Sequence, residues 1–374
     1  MIPTVGIYRY TLLNSSETFV RNQAEALQSF TPYYLGMRQI QGLSTAESRT
    51  LIANSGGLFG RIKEYSTVLG IDAQFIQKVK AISPKLIHAH FGIDGAVALP
   101  IAKTLNLPLL VTFHGFDITI KDEFATRKLG QRLYWRRKEI LKQEASGFIA
   151  VSKFIQQKLL DQNFPPDKIH VHYIGVNTQE FQPNPAIERE SIVLFVGRLV
   201  EKKGCEFLIR AMAEVQKVLP EVKLVVIGEG SLRQSLETLA AKLLRSYTFL
   251  GSQPPEVVKS WMQKSKVFSV PSLTAQTGDA EGFGLVFAEA QATGLPVVSF
   301  ASGGVPEAVA HEETGFLAIE QDNEKLAFYL LQLLSNEALW QKFSFQAQHR
   351  VQTLFNLATQ TRKLEAIYQS AIAA

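Results

Sequence analysis

Glu281 and Glu289 bracket a glycine turn, Gly282-Phe283-Gly284, within the stretch Pro271–Glu289. A β-branched run ends at Val270, a polar loop follows, and the turn leads into an apolar helix that carries Glu289 one turn in. Gly282 and Gly284 leave backbone N–H groups uncovered at a helix N-terminus, where the helix dipole favours an anion. An ionised carboxylate only accepts hydrogen bonds, and a diol supplies two donors. Two carboxylates beside an anion site therefore suit a ligand with phosphates in its middle and hydroxyl-rich rings at either end. A nucleotide sugar fits that description. The sequence leaves open whether Thr274–Asp279, just ahead of the pair, is a mobile lip.

Other residues could act on the same ligand. Arg198 and Lys203 lie in Phe195-Val-Gly-Arg-Leu-Val-Glu-Lys-Lys-Gly204, past the end of an apolar strand pattern and ahead of a helix. Two cations there would neutralise a diphosphate, arginine through its planar fork and lysine as a point charge; the alternative is a solvated basic turn. Gly228-Glu-Gly230 reads as a tight strand-to-helix turn or a nucleotide contact, and Gly-x-Gly-x-x-Arg233 is not a dinucleotide fingerprint. His88-Ala-His90-Phe-Gly and Thr112-Phe-His114-Gly-Phe-Asp117 each close a strand pattern. Histidines so placed are structural hydrogen-bonders or ligand contacts, and His114, followed by Gly115, is the choice for touching a transferred group. No HExxH spacing supports a metal site. Arg127–Lys142 carries seven cations with Tyr134 and Trp135 among them. Leu129, Leu133 and Ile140 are expected to form its apolar side, and Lys128, Arg132 and Arg136 its basic one. Such a helix either lies on an anionic membrane or docks as an ordinary surface helix.

The elements that position these residues alternate. Strand patterns at Val5–Tyr8, Lys85–Ala89, Leu109–Phe113, Phe148–Val151 and Ile169–Tyr173 are separated by helix-length segments. After Phe181-Gln-Pro-Asn-Pro185 a second series begins: Ile192–Val196, Leu224–Ile227, Thr248–Leu250, Val267–Val270 and Val297–Ser299. Alternation of this kind predicts parallel sheets covered on both faces, and 374 residues exceed one ordinary core. Two doubly wound domains follow, each with its crevice at the strand C-terminal ends.

Composition narrows the classes. Mean hydropathy is +0.04 and 20% of residues are charged, as in soluble globular proteins. Cys205 is the single cysteine, so no intrachain disulfide forms; with no signal-like or membrane-length apolar run, a cytoplasmic location is expected. The net charge of +5 divides into +7 for residues 1–180 and −2 for the rest. An anionic partner of the first half is implied, a lipid surface before nucleic acid, because no nucleic-acid reader motif accompanies the charge. No Gly-x-Ser-x-Gly elbow, Walker loop or kinase signature is present.

Taken together these residues resemble the retaining glycosyltransferases of family 4, enzymes of GT-B fold. The resemblance is strongest from Ile192 to Leu317. It is carried by Glu281-x₇-Glu289 around Gly282-Phe-Gly-Leu285, then Gly294-Leu-Pro-Val-Val and Gly303-Gly-Val-Pro-Glu307. It implies α/β architecture with two Rossmann-like domains facing across a cleft: residues 1–182 on the acceptor side, 183–353 binding the nucleotide sugar, and 354–374 as a helix crossing back. It implies that Arg198 and Lys203 hold the donor diphosphate and that Glu281 binds sugar hydroxyls. Phe283, Gly284 and Leu285 would offer N–H groups, Glu289 would bind the ribose, and His114 would face the donor sugar. It also implies same-face transfer without metal or other cofactor, the nucleotide diphosphate sugar being the co-substrate. UDP is the default donor nucleotide and GDP-mannose the next, with a glycan or lipid-linked acceptor.

In place of a paired-glycine loop after the first strand stands Tyr10-Thr-Leu-Leu-Asn-Ser-Ser-Glu-Thr-Phe19, similar to the colanic-acid and exopolysaccharide subgroup. Ser16, Glu17 and Thr18, with Asp117, become candidates for contact with donor or acceptor. Arg132, Trp135, Arg136 and Arg137 are the candidates for contact with an anionic membrane, which would make the enzyme peripheral on the inner face. The alternatives are a soluble disaccharide synthase or phosphorylase of the same fold, and a catalytically silent sugar- or lipid-binding scaffold.

Overall fold

The computed structural model describes residues 2–374 except 15–16, 41, 44, 55–65, 69–71 and 126–128. The chain divides into two compact units, Met1–Gly175 with Leu357–Ala374, and Val176–Asn356. The first holds seven strands: β1 (Thr4–Leu12), β2 (Thr31–Gln39), β3 (Thr50–Ile52), β4 (Pro84–His90), β5 (Leu109–Phe113), β6 (Gly147–Ala150) and β7 (Ile169–Val171). They pair in parallel in the order β3-β2-β1-β4-β5-β6-β7. The second holds β8 (Ile192–Val196), β9 (Lys223–Ile227), β10 (Tyr247–Gly251), β11 (Val267–Ser269), β12 (Val297–Phe300) and β13 (Gly315–Ala318). These are also parallel, in the order β10-β9-β8-β11-β12-β13.

Both sheets are doubly wound Rossmann-like sheets, as expected. Strand order reverses at β1/β4 in one and at β8/β11 in the other, and ligand crevices of open α/β sheets lie at such points. Helices on both faces explain why strands such as Leu109–Phe113 are buried throughout and read as continuous apolar runs.

Three strands escape the sequence patterns. β2 contains Pro32 and Gly36, residues that depress a strand pattern; Gly36 sits in a crowded place, where a Cβ would lie 3.2 Å from the Arg9 carbonyl oxygen. β3 is only three residues long. β13 opens on Gly315, opposite Val297, where a Cβ would come within 2.1 Å of the Val297 oxygen.

The second unit begins at Val176, not after Gln182. The Val176 amide donates to the Phe355 oxygen at 2.7 Å, Val176 bridges to Asn356, and Phe181 is buried. Residues 176–182 therefore pack with the unit they were expected to precede. Helix Leu357–Ala373 joins the first unit, with Leu364 and Tyr368 in the core beside Val5, Tyr34 and Leu110. Its Glu365 carboxylate accepts from the amides of Gln28 at 2.7 Å and Ser29 at 2.6 Å. Among the described residues no helix is long and apolar enough to cross a membrane.

Candidate functional site

At the β8/β11 switch point a single turn, Glu201–Lys203, meets the loop that follows β11. Gly204 ends the turn at φ 63°, and a Cβ there would lie 1.9 Å from the Pro271 oxygen, so only glycine allows this approach. Lys203 Nζ donates to Glu281 Oε2, both side chains being about nine-tenths buried (12% and 13% exposed). Lys202, its neighbour, donates from Nζ to Asp279 Oδ1 at 2.9 Å. Burial alone would raise the Glu281 pKa, but Lys203, Lys202 and Arg198 outweigh it and hold the group at about 2. Glu281 is therefore an anion at neutral pH. Arg198 is exposed on the same β8 loop.

Gly284 starts helix Leu285–Ala292 at φ 82°, and a Cβ would strike the Phe287 ring at 2.4 Å. The Gly304 amide donates to the Glu281 backbone carbonyl oxygen at 2.8 Å, which ties the loop after β12 to the site. Phe283 is buried edge-on against Phe355, centroids 5.0 Å apart, and anchors the turn from below. Glu289 is partly buried on the helix; burial, then Glu180, push its pKa up to about 7. Gly230 packs on the β8 loop, where a Cβ would lie 2.3 Å from the Leu199 oxygen. Arg233 pairs with Glu229 and Glu237.

The segment Thr274–Asp279 is held by two partners outside it and one bond within it. Thr274 Oγ1 donates to Glu320 at 3.1 Å, the Gln276 amide donates to Glu201 Oε1 at 3.0 Å, and the Ala275 amide donates to the Asp279 oxygen at 3.0 Å. It is a tethered loop.

At the corresponding switch point of the first unit the described charges are paired with one another. Arg9, Glu17 and Asp94 are all buried. Arg9 donates to both Glu17 oxygens, to Asp94 and, at 3.0 Å, to the His90 carbonyl, and its guanidinium lies 4.3 Å over the Phe91 ring. Burial raises the Asp94 pKa to about 6 against the pull of Arg9 and the Tyr10 amide. Glu17 is thus turned inward to Arg9 and Asn14. Thr18 begins helix Thr18–Glu25, and Ser16 lies outside the described residues.

His88 bonds through Nδ1 to the Tyr368 hydroxyl and through Nε2 to Thr112 Oγ1, both at 2.6 Å. Burial, then His172, lower its pKa to about 3. His90 Nδ1 meets His114 Nε2 at 3.1 Å, and burial pulls both rings well below the ordinary imidazole value. His114 is packed by Phe19 and Phe91, centroids at 4.9 and 4.6 Å, and its buried Nδ1 has no partner. Asp117 accepts from the amides of Gly92, His114 and Gly115 at 2.9, 3.1 and 2.9 Å, pinning the loops after β4 and β5 together. Among the described residues no cluster of three or more His, Cys, Asp or Glu is placed to hold a metal.

Helix Leu129–Glu144 buries Tyr134 and Leu141, while Ile140, expected on its apolar side, is 48% exposed. Arg137 turns inward and donates to the carbonyls of Val68 at 2.8 Å and Ala96 at 3.0 Å, so it is a brace within the unit. Arg132, Trp135 and Arg136 remain on the exposed side, Trp135 Nε1 donating to Asp122 at 3.3 Å; Arg127 and Lys128 lie outside the described residues.

The chain matches two family models, Glycosyltransferase Family 4 over residues 17–180 and Glycosyl transferases group 1 over 176–350. It is 31% identical over 316 residues to the amylovoran biosynthesis glycosyltransferase AmsK of Erwinia amylovora, covering 83% of this chain and 76% of that protein. The chain belongs to glycosyltransferase family 4. A second relative is the putative colanic acid biosynthesis glycosyltransferase WcaL of Salmonella typhimurium, 27% identical over 83% of this chain and 77% of WcaL. In fold the chain is similar to Anabaena HepE, solved with UDP and glucose, at a TM-score of 0.79 and 19% identity over 99% and 100% of the two chains. Sucrose-phosphate synthase from Thermosynechococcus elongatus gives 0.78 at 24% identity over 99% of each. The fold is therefore GT-B.

Of the family-4 residues read from sequence, Lys203, Glu281, Gly282, Gly284, Leu285 and Glu289 gather at the β8/β11 switch point, with Arg198 close enough to act on Glu281. Glu17, Asp117 and Arg137 serve inside the first unit. The sequence reading passed over Arg9, Asp94, Lys202 and Asp279. One signal was available: Arg9 stands in the apolar run Val-Gly-Ile-Tyr-Arg-Tyr, and a cation in a strand covered on both faces requires a buried partner.

Proposed function

We propose that this family-4 protein is a retaining, metal-independent hexosyltransferase of exopolysaccharide assembly. It moves a hexose from a UDP-sugar to a polysaccharide-precursor or lipid-linked acceptor at the inner face of the membrane. The observation that carries the reading is the Lys203–Glu281 pair at a topological switch point, with the partly buried Glu289 one turn into the helix that follows Glu281. Arg198 and Lys203 would neutralise the departing diphosphate, preorganised charge doing the work of a metal. Glu281, held ionised, would accept hydrogen bonds from the sugar, and Glu289 from the ribose. The C1–oxygen bond to the diphosphate breaks as the acceptor oxygen bonds C1 on the same face, and the acceptor's proton passes to the departing phosphate oxygen.

The names of AmsK and WcaL support the exopolysaccharide setting, and the UDP and UDP-glucose complexes of HepE support a UDP-sugar donor. Exposed Trp135 and Ile140 beside Arg132 and Arg136 support contact with an anionic membrane. A panel of UDP-, GDP- and ADP-sugars, assayed for hydrolysis with and without EDTA, tests the donor and the metal independence together. UDP-sugar turnover unaffected by EDTA is expected. Turnover of none of the panel removes the transferase reading, and a strict metal requirement removes the mechanism.

A further inference from the structure

Two ion pairs stand side by side at the proposed donor site, and only one contains the glutamate expected to meet the sugar. Lys202 and Lys203 are consecutive in one turn, and their partners Asp279 and Glu281 are two residues apart on the facing loop. The Lys202 side chain is more buried than that of Lys203, 9% against 12% exposed, while Asp279 is 21% exposed. Backbone contacts lock the register: the Leu273 amide donates to the Lys202 oxygen at 2.9 Å, and Glu201 receives the Gln276 amide at 3.0 Å. Glu201, Lys202 and Lys203 thus each grip the loop once or more.

We propose that Lys202 and Asp279 are a positioning pair that keeps Lys203 on Glu281 and leaves its charge available to a nucleoside diphosphate. The reasoning is electrostatic. Two carboxylates this close compete for any single cation, and two ammonium groups compete for any single carboxylate. With both pairs present each charge is matched. Removal of Lys202 leaves Asp279 and Glu281 to share Lys203, and that ammonium is drawn off the diphosphate. Removal of the Asp279 charge has the opposite consequence: Lys202, buried and unpaired, turns to Glu281, and Lys203 is released toward the diphosphate while Glu281 is pulled out of place.

The proposal rests on the donor-site reading, and calorimetry on the full chain separates the two. Wild type, Lys202→Met, Asp279→Asn and the double variant are titrated with UDP, GDP and ADP. The best-bound nucleotide's sugar is then used for kcat and KM. Lys202→Met is expected to weaken diphosphate binding about tenfold, the size of coupling typical of contacting charged groups. Asp279→Asn is expected to hold or tighten binding while kcat falls. The double variant, with neither odd charge, should return toward wild type. A pair that merely braces the loop would give weaker binding in both single variants, in step with loss of Tm and without rescue, and that result overturns the proposal. If Lys202→Met fails to fold, Lys202→Gln takes its place in the same comparison. Wild-type protein that binds none of the three nucleotides removes the donor reading and this proposal together; clear wild-type binding with same-direction shifts removes this proposal alone.

Discussion

The β1/β4 and β8/β11 switch points are the same topological place in two sheets of the same kind, and they treat charge in opposite ways. At β1/β4 the guanidinium of Arg9 is shared among Glu17, Asp94 and the His90 carbonyl, with every partner under a tenth exposed. At β8/β11, Arg198 is exposed, Lys203 and Glu281 form a single pair with about a tenth of each side chain exposed, and burial, then Glu180, raise the Glu289 pKa with no cation among the causes of its shift. A crevice at a switch point is a place where a ligand can bind, and at β8/β11 Arg198 and Glu289 stand outside the two ion pairs. The first unit has closed its crevice charges into a structural clamp. The second leaves Arg198 exposed beside the Lys203–Glu281 pair, as the proposed donor site requires.

The contrast breaks first at its centre. Lys203→Ala and Glu281→Ala should each cut turnover by about a hundredfold or more, with the circular dichroism spectrum unchanged; near-normal rates in both would remove the proposed site. Next, Arg9→Met should lower stability by roughly 3–5 kcal/mol, because two buried carboxylates lose their cation. Denaturant unfolding measures this, and a shift below 1 kcal/mol would show that the first switch point is not a clamp.

A smaller effect tests Glu289. Its folded pKa, raised to about 7, means that half the molecules carry a proton there at neutral pH. A carboxylate that must accept ribose hydroxyls binds better without it, so nucleotide affinity should tighten about tenfold from pH 6 to pH 8. Glu289→Gln should flatten that profile; a wild-type profile already flat would exclude the role. Smallest of all, Trp135→Ser with Arg136→Ser should weaken binding to anionic liposomes several-fold without altering Tm, and unchanged binding would leave helix Leu129–Glu144 an ordinary surface helix.

Much of this arrangement was legible before any coordinates. β-Branched runs reveal strands buried on both faces, and glycines that the packing demands, such as Gly204 and Gly284, mark the loops of the proposed donor site. Legibility failed where the deciding partner is remote. Glu17 and Asp117 follow strands much as Glu281 does, and nothing local distinguishes a carboxylate that meets a ligand from one that pairs with Arg9 or caps the Gly92 amide. Arg9 itself reaches Asp94 across 85 residues. Arg137 reads as part of a basic face because the two carbonyls it braces, at Val68 and Ala96, belong to segments its own helical periodicity cannot reveal. β2 stayed hidden for a different reason: Pro32 and Gly36 look like loop residues, and only the packing shows Gly36 in a crowded place between neighbouring strands.

Helix Leu357–Ala373 has a consequence for how the protein is made. Leu364 and Tyr368 fill the core of the first unit, and Tyr368 supplies a hydrogen bond to His88. Domains ordinarily fold in order as they leave the ribosome, but here residues 1–175 emerge without the helix that completes them. The whole of Val176–Asn356 is synthesised in between and forms a compact unit of its own. The unit translated second can therefore mature first, while the unit translated first waits with part of its apolar interior uncovered. During that interval the nascent chain exposes apolar surface of the kind that aggregates or is bound by chaperones, and a stop codon before Leu364 would leave that surface uncovered.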